Sequence, residues 1–408
     1  MSNNKTLYVG VDVHSEHNTC CFMDQDGNTV RKTFAVPNSL PGAERVVSEI
    51  IDSVQTNGFS QVKIASEATS FYDYVFLDHL SSSEKLSLFN SSIYRFNPKT
   101  TKSFKKTYPD KDKTDSDDAF GIADRLRFGR LPEPYPAQQP YIPIQRLTRF
   151  RKHIVDSIAK EKTYFTTHLF LKFSSYSSVK PFSNTLGASS EALITEFSLD
   201  ELSAIDIKDL VDFLADKGKN RFPDPEAVAQ KIKKITRESY RIRPALASSI
   251  DLILATTIRN IRALNKSLKE VNNAIAQEVK AFPNSLISVK GLGPVYSAGI
   301  IAEVGDIKRF SSQAQLAKFA GLTWRKTSSG NFSANITRMT KTGNKHLRYY
   351  LWEAANSLRV HNEEYRHYYR KKYREVNDHR HKRAVALCAR KLVRLVFALL
   401  TKKQIYQA

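Results

Sequence analysis

Residues 6–34, TLYVGVDVHSEHNTCCFMDQDGNTVRKTF, contain three runs of strand-forming residues separated by short polar segments. The runs are TLYVGVDVH at 6–14, NTCCFMD at 18–24 and NTVRKTF at 28–34, and the last two are joined by the turn sequence Asp24-Gln25-Asp26-Gly27. Three consecutive strands with short connections predict an antiparallel meander.

The next hundred residues alternate between helical and strand patterns. Helices are expected at 42–54, at 72–80 and from 113 onward, and strands at 61–69 and 92–96. A meander followed by alternating elements predicts an α/β domain with a mixed sheet flanked by helices. The proline-rich segment PEPYPAQQPYIP at 132–143 is typical of a linker, so we place the end of this domain at residue 140.

Two long amphipathic patterns follow the linker, at 145–173 and 249–282. The second has a near-heptad series of apolar residues: Ile250, Leu254, Ile258, Ile261, Leu264, Leu268 and Val271. We expect a helical, coiled-coil arm at 141–284 whose long helices pair with each other or with another chain. The stretch 174–243 between them is interpreted as a small helical insertion.

Short helices and glycine turns after Pro283 predict a mainly α-helical domain at 285–408. Its last helix carries one apolar stripe, which we interpret as core: Val385, Cys388, Leu392, Leu395 and Leu399.

The charge balance indicates a polyanionic partner. The 408 residues include 63 Lys and Arg against 41 Asp and Glu, a net charge of +22.

An apolar run of about 18 residues is absent and residues 1–10 do not resemble a signal peptide, so we expect no membrane contact and a cytoplasmic, nucleoid-associated protein. Cys20, Cys21 and Cys388 form no C-x-x-C pair and suit a reducing compartment.

Four carboxylates are candidates for a metal site. Asp12 lies in a strand of apolar residues, and Glu67 ends the strand VKIASEAT, where open sheets usually present functional groups. Asp115 and Asp118 are three residues apart at the start of a helix and share a face. Such a set can hold divalent metals for phosphodiester chemistry, but Thr114 and Asp117 also form a capping-box pattern that explains acids at this helix start. His14 and His17 of HSEH are left out of the site.

The C-terminal part carries three candidate nucleic-acid features. Gly291 and Gly293 in SVKGLGPVYSAG are typical of a helix-hairpin-helix turn whose backbone amides hold phosphate, or of a plain turn. The segment KTSSGNF offers Ser328 and Ser329 as nucleophiles, or again only a turn. Residues 346–383 mix cations with many tyrosines, which suits phosphate contacts and base stacking as well as a solvated basic face. The cations expected to contact nucleic acid are Arg325, Lys326, Arg338, Lys341, Lys345 and Arg348.

Taken together, these motifs resemble the DEDD transposases of the insertion-sequence one-ten family. YVGVDVH at 8–14, the SEA of 66–68, and NP followed by KTDSDDA at 113–119 are similar to the N-terminal motifs of that family. GLGPVYSAGIIAEVGDIKRFSSQAQLAKFAGL, SSG and KTGNKHLRYYLWEAA are similar to its C-terminal block, in the same order. Two departures are Trp324, where the family usually has proline, and a longer middle segment.

The resemblance implies a RuvC-like RNase H domain with Asp12, Glu67, Asp115 and Asp118 binding Mg²⁺ or Mn²⁺, and a C-terminal domain whose Ser329, rather than Ser328, attacks DNA. It also implies an element-encoded guide RNA that pairs with donor and target DNA, and a homo-oligomer, dimer or tetramer. We therefore expect a transposase or recombinase that cleaves and rejoins DNA. The alternatives are a hydrolytic, junction-resolving nuclease without a serine intermediate and a non-enzymatic nucleic-acid-binding protein.

Overall fold

The computed structural model of the chain describes residues 5–68, 71–108, 114–135, 139–324, 328–329, 332–333 and 338–407. The chain divides into two compact units, Met1–Pro140 and Tyr141–Ala408.

The first unit is built on a five-stranded mixed sheet of order β3-β2-β1-β4-β5. The strands are β1 Thr6–Val13, β2 His17–Met23, β3 Phe34–Pro37, β4 Gln61–Glu67 and β5 Ser91–Phe96. The first three pair antiparallel, and β4 and β5 continue parallel to β1. This arrangement confirms the predicted α/β fold class with a mixed sheet.

Helices cover both faces of the sheet. They are α1 Leu40–Asn57, α2 Tyr72–Ser82, α3 Glu84–Ser87, α4 Pro98–Lys105 and α5 Asp115–Phe128. Leu7, Val9 and Val11 of β1 share one core with α1 and α2. The alternate residues of β1 point to the opposite face, where α5 packs, because successive side chains of a strand alternate. Asp12 is on this second face.

The third strand of the meander begins later than the alternation of NTVRKTF predicts. Thr29 forms a single bridge with Met23, and continuous pairing resumes only at Phe34 opposite Cys20. The strand inserts two extra residues between these pairs. The Val30 amide still donates to the Phe22 carbonyl at 2.9 Å, so residues 31–33 bulge out of the ladder. The expected strand at 28–34 was therefore wrong in its bounds.

In the second unit two long helices, α6 Ile142–Lys172 and α12 Pro244–Glu278, pack against each other. Ile250, Leu254, Ile258 and Ile261 of the near-heptad series are buried, and Leu264, Leu268 and Val271 are half-buried. The expected helical insertion consists of α7 Tyr176–Val179, α8 Ala188–Glu196, α9 Leu199–Ala204, α10 Ile207–Gly218 and α11 Pro225–Glu238. These elements share a core with the adjoining parts of α6 and α12.

The C-terminal part is mainly helical, as expected. Its elements are α13 Pro294–Val304, α14 Gln313–Ala320, the strands β6 Ser328–Ser329 and β7 Phe332–Ser333, α15 Lys345–His361, α16 Glu363–Arg374 and α17 Arg380–Lys402. The apolar stripe of α17 lies in the core, with Leu395 at its margin. Among the described residues, no helix is both long and apolar enough to span a bilayer.

Candidate metal centre and nucleic-acid interface

Three elements bring the predicted acids together in the first unit. Asp12 and Glu67 lie at the carboxyl ends of β1 and β4, which are neighbouring parallel strands. Asp115 and Asp118 occupy the first turn of α5. The helix cap uses Thr114 and Asp117, whose side chains bond each other at 2.6 Å, with the Asp117 amide donating to Thr114 Oγ1 at 3.1 Å. Asp115 and Asp118 take no part in that cap.

The close approach of α5 to β1 depends on Gly10. A Cβ at this position would lie 2.3 Å from the Ala119 carbonyl oxygen and 2.3 Å from the Ala123 nitrogen. Only glycine therefore lets the helix backbone rest on the strand, and α5 then carries its acids toward Asp12, two residues further along β1.

Lys105, at the end of α4, lies among these acids. Its Nζ donates to Glu67 Oε1 at 3.2 Å and to Asp118 Oδ1 at 2.7 Å. Its methylene chain lies against Gly121, where a Cβ would be 2.9 Å from Lys105 Cε. The ammonium thus sits where a cation can contact carboxylates from β4 and α5 at once.

Two histidines complete the outer side of the cluster. His14 Nε2 is 3.1 Å from Asp12 Oδ2 and 3.5 Å from Asp115 Oδ1, and His17 Nε2 is 3.0 Å from Asp115 Oδ2. The two imidazole rings stack with centroids 5.2 Å apart.

The environment shifts the pKa values of these acids in opposite directions. Burial raises the pKa of Asp12, which is 9% exposed, and raises that of Glu67, although His14 and Lys105 respectively oppose the shift. The hydrogen bond from His17 lowers the pKa of the exposed Asp115. Two partly buried carboxylates whose ionised forms are disfavoured, held beside an ammonium, suit a site for added positive charge. This donor set of carboxylate oxygens fits a divalent cation.

The serine segment forms a β-ribbon in the second unit. Ser328 pairs with Ser333 and Ser329 with Phe332. A further bridge joins Trp324 and Met339, and the Thr340 amide donates to the Thr323 carbonyl at 2.8 Å. Ser329 therefore lies on a strand of this short ribbon.

The predicted cations near this ribbon differ in their surroundings. Arg325 and Lys326 lie outside the described residues, whereas Arg338, Lys341 and Lys345 are exposed. Arg348 is half-buried and donates to the Ala320 carbonyl at 3.0 Å, so it also holds the end of α14.

The two glycines of the predicted hairpin occupy different environments. Gly291 has a φ of 101° and packs against Leu358 and His361 of α15. Gly293 is the exposed N-cap of α13, and a Cβ there would meet nothing within 4 Å. A 3₁₀ turn at Ser285–Ser288, rather than an α-helix, precedes them. Gly293 is thus the better placed of the two to let a phosphate approach a helix N-terminus.

A buried carboxylate connects the long helix α6 with the helix that follows the ribbon. Glu303 of α13 accepts from Arg149 of α6, at 2.7 and 2.9 Å, and from Asn344 Nδ2 at 2.7 Å. Asn344 in turn caps α15 by accepting from the amides of His346 and Leu347. This network joins α6, α13 and α15.

The tyrosines of α16 are less open than a stacking surface requires. Tyr365 is buried, and Tyr368 is half-buried with Lys391 Nζ 4.8 Å from its ring centroid. Arg359 lies 5.1 Å from the ring centroid of the half-buried Tyr369, and the Tyr369 hydroxyl bonds His381 at 2.8 Å. Tyr373 is the more exposed ring.

Sequence reasoning missed Lys105 and set His14 and His17 aside. Lys105 stands in KTTKSFKK among several lysines, and only the packing of α4 near α5 distinguishes it. The histidines had a usable signal, because both flank the turn after Asp12.

Comparison with known proteins gives two family matches. A DEDD transposase model (DEDD_Tnp_IS110) matches residues 9–173, and a model described as transposase IS116/IS110/IS902 family matches residues 284–370. The chain is 23% identical over 406 residues, 98% of its length and 96% of the relative's, to the insertion element IS116 uncharacterized 44.8 kDa protein of Streptomyces clavuligerus.

Two further similarities are more limited. The insertion element IS900 uncharacterized 42 kDa protein of Mycobacterium paratuberculosis is 27% identical over 157 residues, 38% of this chain and 39% of that protein. A structure of T. thermophilus RuvC in complex with Holliday junction substrate is 12% identical, with a TM-score of 0.23, over 32% of this chain and 98% of that one.

Proposed function

Since the chain belongs to the IS116/IS110/IS902 family of insertion-element transposases, we propose that it is an RNA-guided recombinase that cuts and rejoins DNA with metal-bound carboxylates and a serine nucleophile. The observation that carries the proposal is the convergence of Glu67 and Asp118 on one cationic group beside Asp12. Ionised carboxylates from separate elements repel each other at such short range unless a cation lies between them.

Asp12, Glu67 and Asp118, with Asp115 at the outer edge, are the residues that would hold Mg²⁺ or Mn²⁺. A divalent ion bound there supplies positive charge that stabilises the phosphodiester oxygens during strand exchange. Lys105 would move aside when such an ion binds, since its flexible side chain is only partly buried.

The serine step is a transesterification. Ser329 Oγ attacks the scissile phosphorus, its proton leaves to solvent or to a base, and the bond to the departing DNA oxygen breaks. Attack by the hydroxyl of the incoming strand on the phosphoserine then restores the serine and forms the new DNA linkage. Bond energy is conserved through both steps, so rejoining needs no nucleotide cofactor. Exposed Arg338, Lys341 and Lys345 follow the ribbon in sequence and are suited to hold phosphates.

The net charge of +22 supports a large nucleic-acid partner, and we propose donor DNA, target DNA and an element-encoded RNA as that partner. Base pairing by the RNA selects the sites, while the protein binds backbones. Sequencing the RNA that copurifies with the protein tests this part: a single structured species from the flank of the element is expected, and bulk cellular RNA alone contradicts guidance.

The serine assignment is tested by trapping protein on labelled DNA under denaturing conditions. Ser329→Ala is expected to abolish the covalent adduct, and Ser328→Ala only to slow its formation. Ser333→Ala is a matched control, because Ser333 pairs with Ser328 on the facing strand of the same ribbon. An adduct that persists in Ser329→Ala and disappears in Ser328→Ala would reverse the assignment. Cleavage without any adduct favours the hydrolytic, junction-resolving alternative.

The carboxylate assignment has a separate test. Asp12→Ala, Glu67→Ala, Asp115→Ala and Asp118→Ala are each expected to abolish cleavage while nucleic-acid binding stays near normal, because each removes a metal ligand and not basic surface. Normal recombination by Asp118→Ala would remove that residue from the site. Tolerance of all four changes would support the non-enzymatic alternative.

A further inference from the structure

The outer rim of the acidic cluster contains a ligand set of different chemistry. One ring nitrogen of His14, one ring nitrogen of His17 and a carboxylate oxygen of Asp115 all lie within 4.8 Å of one another. The histidine nitrogens are 3.5 and 3.0 Å from Asp115 oxygens. Ligand atoms of a tetrahedral zinc site with bonds of about 2.0–2.1 Å lie roughly 3.3–3.4 Å apart. Small side-chain adjustments therefore suffice for all three to contact one ion.

The positions of these residues favour ion binding over a structural role. His14 lies in the exposed turn after β1, His17 begins β2, and Asp115 begins α5. Their side chains are about half exposed, at 48%, 43% and 50%, so the ligand atoms are open to ions from solvent. Stacking of the two rings directs both Nε2 atoms toward the same carboxylate.

We propose that His14, His17 and Asp115 bind a divalent transition-metal ion of the zinc or cobalt class, at a position beside the carboxylate site. Imidazole nitrogen selects these ions, whereas Mg²⁺ prefers an all-oxygen set. Two histidines and one carboxylate leave a coordination position open for water or a phosphate oxygen. This inference rests on the proposed function only in sharing Asp115 with the carboxylate site.

The ion places a second cation next to Asp12, because His14 contacts both Asp12 and Asp115. The two sites then differ in selectivity, one made of oxygen ligands alone and the other containing nitrogen. Mg²⁺ in excess is expected to fill the first without displacing a transition metal from the second.

The test uses full-length protein freed of metal and titrated with Co²⁺ in excess Mg²⁺, with visible absorption and calorimetry as readouts. Wild type is expected to develop the d–d absorption of Co²⁺ bound by nitrogen, which Zn²⁺ then abolishes. His14→Ala and His17→Ala are each expected to weaken binding by roughly tenfold or more. His153→Ala, a change of an exposed histidine on α6, is the matched control and is expected to bind as wild type.

Further variants separate this site from the proposed chemistry. His17→Cys retains a ligand atom and is expected to bind Co²⁺ with added thiolate absorption, which excludes loss of binding through misfolding. Asp118→Ala is expected to keep Co²⁺ binding even where cleavage is lost. Absence of Co²⁺ absorption in wild type, or equal binding by wild type and His17→Ala, would overturn the proposal while leaving the carboxylate assignment intact.

Discussion

Lys105 neutralises two acids that would otherwise repel each other. Its ammonium contacts Glu67 and Asp118, and both contacts are partly buried. Without it, a metal-free protein holds the carboxylates of Asp12, Glu67 and Asp118 close together. A divalent ion can replace the ammonium, but a neutral side chain cannot.

Lys105→Met is therefore expected to lower the free energy of unfolding of metal-free protein by about 1–2 kcal/mol, since hydrogen bonds between charged groups are lost from a partly exposed site. Mg²⁺ should restore most of this stability and should stabilise the variant more than wild type. Thermal unfolding with and without Mg²⁺ measures both effects. Lys106→Met, at the exposed next position, controls for loss of one positive charge. Equal Mg²⁺ responses in all three proteins would show that Lys105 does not neutralise the site.

His346 provides a pH-dependent contribution to stability in the second unit. Burial lowers the pKa of His346 to about 4 from an ordinary 6.5, although the nearby Glu303 opposes the shift. The unfolded chain therefore binds a proton that the folded chain does not bind between these two pH values. Stability must then fall as pH decreases from 6.5 toward 4.

Replacing the histidine by a neutral side chain should remove this part of the pH dependence. His346→Gln is expected to flatten the stability profile between pH 6.5 and about 4, as measured by chemical denaturation at several pH values. His367→Gln, at an exposed position on α16, should keep the wild-type profile. A slope unchanged by His346→Gln would assign the acid sensitivity to other groups.

At the scale of elements, the contact of α5 with β1 sets the geometry of the acids. The helix backbone rests directly on Gly10. Gly10→Ala is expected to push α5 away from β1, with a loss of about 1–3 kcal/mol typical of an overpacked core. The cleavage rate should fall by more than the loss of folded protein accounts for, because Asp115 and Asp118 move with the helix.

Denaturant unfolding measures the loss of stability. Cleavage assays at a temperature where the variant remains folded measure the loss of activity separately. Gly293→Ala serves as a stability control, since a Cβ there meets open space. Wild-type stability in Gly10→Ala would mean that the helix is not seated as closely as the distances indicate.

The elements that could be predicted from sequence are those whose pattern is local. Alternation located β1 and β2, and helical spacing located α6 and α12, because burial on one face leaves a period in the sequence. The bulge at residues 31–33 leaves no such period, so the predicted start of β3 was wrong. Asp12 and Glu67 were found from strand position and family resemblance, but Lys105 was not, because its partners are 38 and 13 residues away.

At the scale of the whole molecule, the basic surplus predicts strong salt dependence. Binding to DNA and RNA should weaken steeply with salt, by roughly 10³-fold or more between 50 and 200 mM if about six or more phosphates are contacted. Electrophoretic or fluorescence titrations at several salt concentrations measure the slope. Affinity that is flat across this range would contradict the nucleic-acid interpretation of the net charge.

The distribution of chemistry along the chain predicts a site shared between subunits. The acids belong to the first unit and the serine to the second, and α6 alone, with 31 residues, is about 46 Å long. Pairing of this arm with the arm of another chain would bring the acids of one chain to the serine of the other. Cleavage would then require assembly.

Mixing Asp12→Ala protein with Ser329→Ala protein tests this prediction, since each is expected to be inactive alone. Partial recovery of cleavage is expected, because some mixed assemblies contain intact acids on one chain and an intact serine on the other. Demonstrated hetero-oligomers that remain inactive would place both parts of the site in one chain.

The buried Glu303 network also has a mechanical consequence. Arg149 lies in the second turn of α6, so the base of this long helix is fixed to α13 and, through Asn344, to the start of α15. Tilting α6 at its base would leave a buried charge unpaired, at a cost of about 3–5 kcal/mol. The first turns of α6 are thus held rigidly against α13. Any bending of the arm is therefore expected further out along α6, while the start of α15, which follows the serine ribbon in sequence, keeps its alignment with α13.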